Sequence, residues 1–77
     1  MVSYEPTDAA LAGRDIFGSR LRTLRESKGM TQERLALDAG LDRSFLVEVE
    51  SGHHSLMLDR VFDLARALGV SAADLVK

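Results

Sequence analysis

The stretch that most constrains the fold is Thr31 to Gly52, TQERLALDAGLDRSFLVEVESG, which reads as two short helices joined by a tight glycine turn. Thr31 is a good N-cap, Leu35 and Ala36 give the first of these helices a small apolar face, and Gly40 stops it. Asp42 caps the second, whose apolar positions are Phe45, Leu46 and Val49. Ala36 is small enough for two helices to cross closely, and Gly40 can take the left-handed conformation that a tight turn demands. With Leu46 and Val49 turned inward, Asp42, Arg43, Ser44, Val47 and Glu48 are left on the outward side.

The flanking sequence supplies three more helices. Ile16, Phe17, Leu21 and Leu24 recur at helical spacing and predict an amphipathic helix ending near Lys28, with Gly29 as its stop. Leu58, Val61, Phe62, Ala65 and Leu68 predict another after the loop Ser51-Gly52-His53-His54-Ser55, stopped by Gly69. Ser71 caps a short last helix holding Leu75 and Val76. No stretch alternates with the period of a strand, so the expected fold is all-α, a compact bundle of five short helices. Residues 1–15 are expected to form an arm or a frayed leading helix: Pro6 and Thr7-Asp8 can start one, but Gly13 and Gly18 weaken it by about 1 kcal/mol each. Residues 16–77 are expected to form the folded domain.

Composition narrows the function. The chain of 77 residues suits one small domain. It has no cysteine, which excludes disulfides and thiolate metal sites and is compatible with a reducing cytoplasm. No apolar run approaches the roughly 20 residues of a membrane span, and the first residues lack the pattern of a signal peptide. The net charge of −2 does not itself favour a nucleic-acid partner, but its distribution does: residues 20–34 carry +3, whereas residues 1–15 and 44–77 each carry −2. The positive charge thus lies beside the paired short helices. Two helices with a tight turn between them and reaching side chains at the start of the second have the layout of a helix-turn-helix that enters the DNA major groove.

The residues that carry chemistry fit that layout. Arg43 can make a bidentate contact with guanine O6 and N7, and Ser44 can bond to a base or a phosphate. Val47 can touch a thymine methyl, and Glu48 repels phosphate unless it accepts from a cytosine amino group. Gln32 sits at a helix N-terminus, where free N–H groups and the dipole favour phosphate, with Thr31 and Arg34 as its neighbours there. Arg20 is a further phosphate candidate. Phe45 has no hydroxyl and is expected to pack. Leu56-Met57-Leu58 is a run of apolar residues that a small domain cannot easily hide, which makes Leu56, Met57, Val61 and Leu75 candidates for a dimer interface. His53 and His54 alone cannot supply a metal-ligand set, and no nucleophilic or phosphate-loop motif is present, so neither metal, cofactor nor catalytic residue is expected.

Taken in order, Leu21-Arg22-Thr23-Leu24-Arg25, Gly29-Met30-Thr31-Gln32-Glu33, Leu35-Ala36, Ala39-Gly40-Leu41, Phe45-Leu46, Glu50-Ser51-Gly52 and Leu64-Ala65-Arg66-Ala67-Leu68-Gly69-Val70-Ser71 resemble the phage-repressor-type (Cro-like, XRE) helix-turn-helix DNA-binding family over about residues 16–76. Size and the string Leu41-Asp42-Arg43-Ser44-Phe45 resemble its small stand-alone regulators, including restriction–modification controllers. The resemblance implies a partly buried ion pair between Arg25 and Glu50. It also implies that Gln32 contacts the DNA backbone and braces the recognition helix, and that His53 and His54 meet phosphate. The chain departs from the family where Leu56-Met57 replaces a common proline, which alters the loop path. The expected function is that of a cytoplasmic, nucleoid-associated homodimeric transcription regulator, a repressor or autoregulator, that reads an inverted repeat in double-stranded DNA, with no small-molecule ligand. The alternative is a protein-interaction module of the antitoxin kind.

Overall fold

In the computed structural model, which describes residues 3–77, the chain is five helices: α1 (Asp8–Ser27), α2 (Gln32–Ala39), α3 (Arg43–Glu50), α4 (Leu58–Leu68) and α5 (Ala73–Val76). No strand occurs among the described residues, and the all-α, five-helix expectation holds. The core takes one leucine from each helix, and Leu21, Leu35, Leu46, Leu64 and Leu75 are all fully buried. Each contributes roughly 1.5–3 kcal/mol through burial. Helix α1 packs on α3 and α5, while α2 packs on α3 and α4.

The leading segment divides at its cap. Residues 3–7 are not helical. Thr7 caps α1 by accepting a hydrogen bond from the Ala10 N–H at 3.1 Å, and the helix then runs without a break through both Gly13 and Gly18. Gly18 has a packing role that outweighs its poor helix propensity. A Cβ there would lie 2.5 Å from the Val49 carbonyl oxygen and 2.6 Å from that of Glu50, so only glycine lets α1 lie against the end of α3.

Helices α1 to α4 end in the same way. A glycine with positive φ is followed by a residue whose N–H returns to a carbonyl five residues back, as in Leu41 N–H to Ala36 O at 2.8 Å after α2. This cap turns each following segment back over the core.

Two expectations about apolar side chains change. Leu75 was a dimer-interface candidate, but α5 turns it wholly into the core between neighbouring helices, and it is unavailable to a partner. Leu56 and Val61 are half-buried and pack against the same core. Met57 alone of the four stands exposed, together with Leu58 (69% exposed) and Phe62 (57%).

Candidate nucleic-acid interface

Helix α3 is set by the turn at Gly40, whose φ of 71° starts a bend into Leu41 and Asp42. Leu46 and Val49 then fall into the core, which leaves Arg43, Ser44 and Glu48 exposed and Val47 half-exposed along the opposite side. The four residues predicted to read bases therefore lie on the solvent side of one helix. Asp42 occupies the N-cap position, but its side chain makes no cap hydrogen bond.

The far end of α3 is held by charge. The Arg25 guanidinium forks onto Glu50, with Nε to Oε2 at 2.7 Å and Nη2 to Oε1 at 3.0 Å, and its Nη1 donates to the Met30 carbonyl at 2.8 Å. Both side chains are buried. The hydrogen bond and the charge of Glu50 raise the Arg25 pKa from its ordinary value, against the opposing cost of burial. Gln32 completes the cluster by donating from Nε2 to Glu50 Oε1 at 3.0 Å. One carboxylate on α3 is thereby tied to α1, to the turn after α1, and to the first residue of α2. The ion pair that the family resemblance implied is present, and so is the bracing by Gln32.

The phosphate candidates occupy two places. Thr31, Gln32 and Arg43 line one surface recess with Arg25 and Glu33, at the N-terminus of α2 beside the start of α3. Thr31 Oγ1 accepts from the Arg34 N–H at 3.0 Å, as an N-cap should, and keeps its own proton for another acceptor. Arg34 is exposed and pairs with Asp38 at 3.1 Å one turn on, an exposed contact that holds it only weakly. His53 and His54 lie beyond the other end of α3. His54 donates from Nδ1 to Ser55 O at 2.6 Å, and its ring meets Phe45 edge-on with centroids 4.9 Å apart. Phe45 thus packs, as expected. Arg20 serves structure: its Nε and Nη2 both donate to the Asp74 carbonyl, at 3.3 and 3.2 Å, and fasten α5 to α1.

Some contributors were not legible in the sequence. Asp15 reaches across from α1 to the turn at Gly52, and Arg60 reaches from α4 to the Gly40 carbonyl at 3.5 Å. Neither residue belongs to a local pattern that marks it. Among the described residues no group of three or more side chains has the makings of a metal site, and no helix is long and apolar enough to cross a membrane.

A recognition helix with an exposed polar edge, fixed at both ends and set beside an open helix N-terminus, defines a helix-turn-helix DNA-binding transcription regulator. The family model described as Helix-turn-helix (HTH_3) matches residues 21–75, and the chain belongs to that family. It is 38% identical over 62 residues to the control protein C.BamHI of Bacillus amyloliquefaciens, a match spanning 79% of this chain and 76% of that protein. The restriction-modification controller C.AhdI of Aeromonas hydrophila is similar in structure, with a TM-score of 0.81, 44% identity, and coverage of 83% of this chain and 97% of that one. The hypothetical transcription factor NHTF from Neisseria superposes with a TM-score of 0.82 at 32% identity, over 100% of this chain and 87% of its own.

Proposed function

We propose that this regulator binds an inverted repeat as a homodimer, each subunit laying α3 in the major groove, and that it acts as a repressor or autoregulator of the controller type. The observation that carries the reading is the division of α3: Leu46 and Val49 are buried while Arg43, Ser44, Val47 and Glu48 face out on a helix clamped through Glu50. In this reading Arg43, Ser44, Val47 and Glu48 meet base edges. Thr31, Gln32 and Arg34 meet phosphate at the N-terminus of α2, and His53 and His54 meet it past the other end of α3. Gln32 has a second amide proton for phosphate while its first stays on Glu50.

The partner subunit sits on Met57, Leu58 and Phe62, whose exposure leaves an apolar strip beside the core. Half-site centres about 34 Å apart follow from one turn of B-DNA. Similarity to control proteins supports a regulatory role, and the place of action is the nucleoid in the cytoplasm.

Selection of bound sequences from a random duplex pool tests the proposal. An inverted repeat is expected, and Arg43→Ala should weaken binding by about 1–3 kcal/mol while relaxing preference at one base pair. A pool that stays featureless would overturn the reading and favour a protein-docking role.

A further inference from the structure

The end of α3 brings an acid and a histidine together by backbone geometry. Gly52 takes a φ of 79°, its N–H donates to Val49 O at 3.1 Å, and the His53 N–H returns to Glu48 O at 2.9 Å. Those two bonds fix where residue 53 leaves the helix, so its side chain starts beside the last turn whatever its rotamer. Position 52 favours glycine through its positive φ, and a Cβ there would displace the Asp15 carboxylate.

The side chains then meet. Ser51 Oγ donates its only proton to Glu48 O at 3.0 Å, so its lone pairs face His53 Nδ1 at 3.2 Å. The proton between them therefore sits on Nδ1. The Glu48 carboxylate Oε2 is 3.7 Å from that same nitrogen. The His53 ring thus stands within ion-pair distance, though not hydrogen-bond distance, of the one acid on the exposed edge of the recognition helix.

We infer that His53 is a positioning residue for Glu48 and makes base reading by Glu48 depend on pH. The inference rests on the proposal that α3 enters the major groove. Histidine changes charge between about pH 5 and 8. As imidazolium, His53 draws the carboxylate toward the loop and offsets its repulsion of phosphate. Binding then tightens for every sequence, while discrimination at the base pair under Glu48 weakens. As neutral imidazole it holds the carboxylate less, and Glu48 is free to accept from a cytosine amino group and to reject bases that present only acceptors.

The other groups facing the pair are accounted for. His54 in the same loop has committed Nδ1 to Ser55 O and its ring to Phe45. Asp15, from α1, places a second carboxylate at Gly52, off the recognition helix. No further ion pair to His53 occurs among the described residues.

The test is competition binding of the selected site and all its single-base variants to the wild type, His53→Gln and Glu48→Gln, at about pH 6 and about pH 8. For the wild type, discrimination at one base pair should fall about fivefold or more on acidification, the low end of what one base contact is worth, and the other positions should hold. His53→Gln should weaken binding to all sites alike, through its lost phosphate contact, while keeping that discrimination at both pH values, and Glu48→Gln should lack it at both. Wild-type discrimination that ignores pH, or a His53→Gln profile that follows the wild type, would overturn the inference. Failure to discriminate at any base by any variant would instead overturn the DNA-reading proposal. The unaffected positions report that each variant is folded.

Discussion

Helices α3 and α4 bury leucines in the same core yet present opposite outer surfaces. Along α3 the exposed edge carries Arg43, Ser44 and Glu48, and its last residue, Glu50, is buried on Arg25. Along α4 the exposed side at its start carries Leu58 and Phe62, with Met57 just before them. The hydrophobic pattern that builds the fold is thus satisfied on both helices, and function is written in what remains. A charged and hydrogen-bonding edge suits bases and phosphates. An apolar one gains nothing from either and suits another protein surface. The means of support differ as well. A buried, directional ion pair fixes the angle of α3, as reading base edges requires, whereas α4 is seated by apolar contact, with Arg66 and Arg60 adding exposed bonds to the Asp38 and Gly40 carbonyls.

The largest expected effect breaks the support of α3. Arg25→Met leaves Glu50 buried with Gln32 as its remaining side-chain donor, and should cost about 3–5 kcal/mol in urea denaturation. Because the hydrogen bond and charge of Glu50 raise the Arg25 pKa above its ordinary value, the pair is fully formed below that ordinary value and would be lost only as pH rises through the still higher folded one. The cost should therefore be flat from neutral pH to about pH 10. A variant as stable as the wild type would mean that apolar packing alone seats α3, as it does α4.

A smaller effect tests the backbone contact behind α3. Gly18→Ala drives a methyl into the Val49 and Glu50 carbonyls and should destabilise by about 1–3 kcal/mol. Gly13→Ala in the same helix meets nothing within 4 Å and should stabilise by about 0.5–1 kcal/mol. Equal and favourable changes at both sites, measured by thermal melting, would show that α1 does not need its close approach to α3.

On the α4 side, the double change Leu58→Ser with Phe62→Ser removes only exposed surface. Folding stability of the monomer should move by no more than about 0.5 kcal/mol per site. The dimer expected in sedimentation should dissociate, and affinity for a full inverted repeat should drop toward that for a half-site. Loss of folding in place of assembly would assign these side chains to the core and erase the contrast with α3.

Local chemistry made most of this fold legible. Thr31, Gly29, Gly40 and Gly69 mark helix ends because capping acts over a few residues, and each ends or begins a helix where the sequence suggests. The inward set Leu46 and Val49, and hence the outward set, followed from helical spacing. What was not legible depends on distant partners. Gly18 reads as a weak helix residue until Val49 and Glu50 are seen against it. Leu58 and Phe62 fit the same helical period as Leu68, and periodicity cannot say that the apolar stripe is wider than the core it covers. Leu75 lies in a helix of four residues, too short for its pattern to define an inward face. The pairing of His53 with Glu48 follows from the turn at Gly52, which sequence spacing alone does not orient.

The smallest effect lies outside both helices and asks whether they stay put when α5 loosens. Asp74 Oδ2 accepts from the Ser71 N–H at 3.2 Å, and bonds from Ser71, aided by Lys77, lower its pKa from 3.8. A lowered folded pKa means that this bond contributes fully above the ordinary value and is lost as pH falls through the folded one. Carboxyl NMR should therefore show Asp74 titrating below 3.8, with the Ser71 amide losing exchange protection over the same acid range. Helix α5 itself should remain docked, because Leu75 is fully buried and Arg20 holds the Asp74 backbone carbonyl rather than its carboxylate. Asp74→Asn should remove the acid step in Ser71 protection while leaving amide exchange in α3 and α4 unchanged. If exchange in α3 rose along with it, the last helix would be part of the support of the recognition helix, and the contrast between a charge-clamped α3 and an apolar-seated α4 would have to include it.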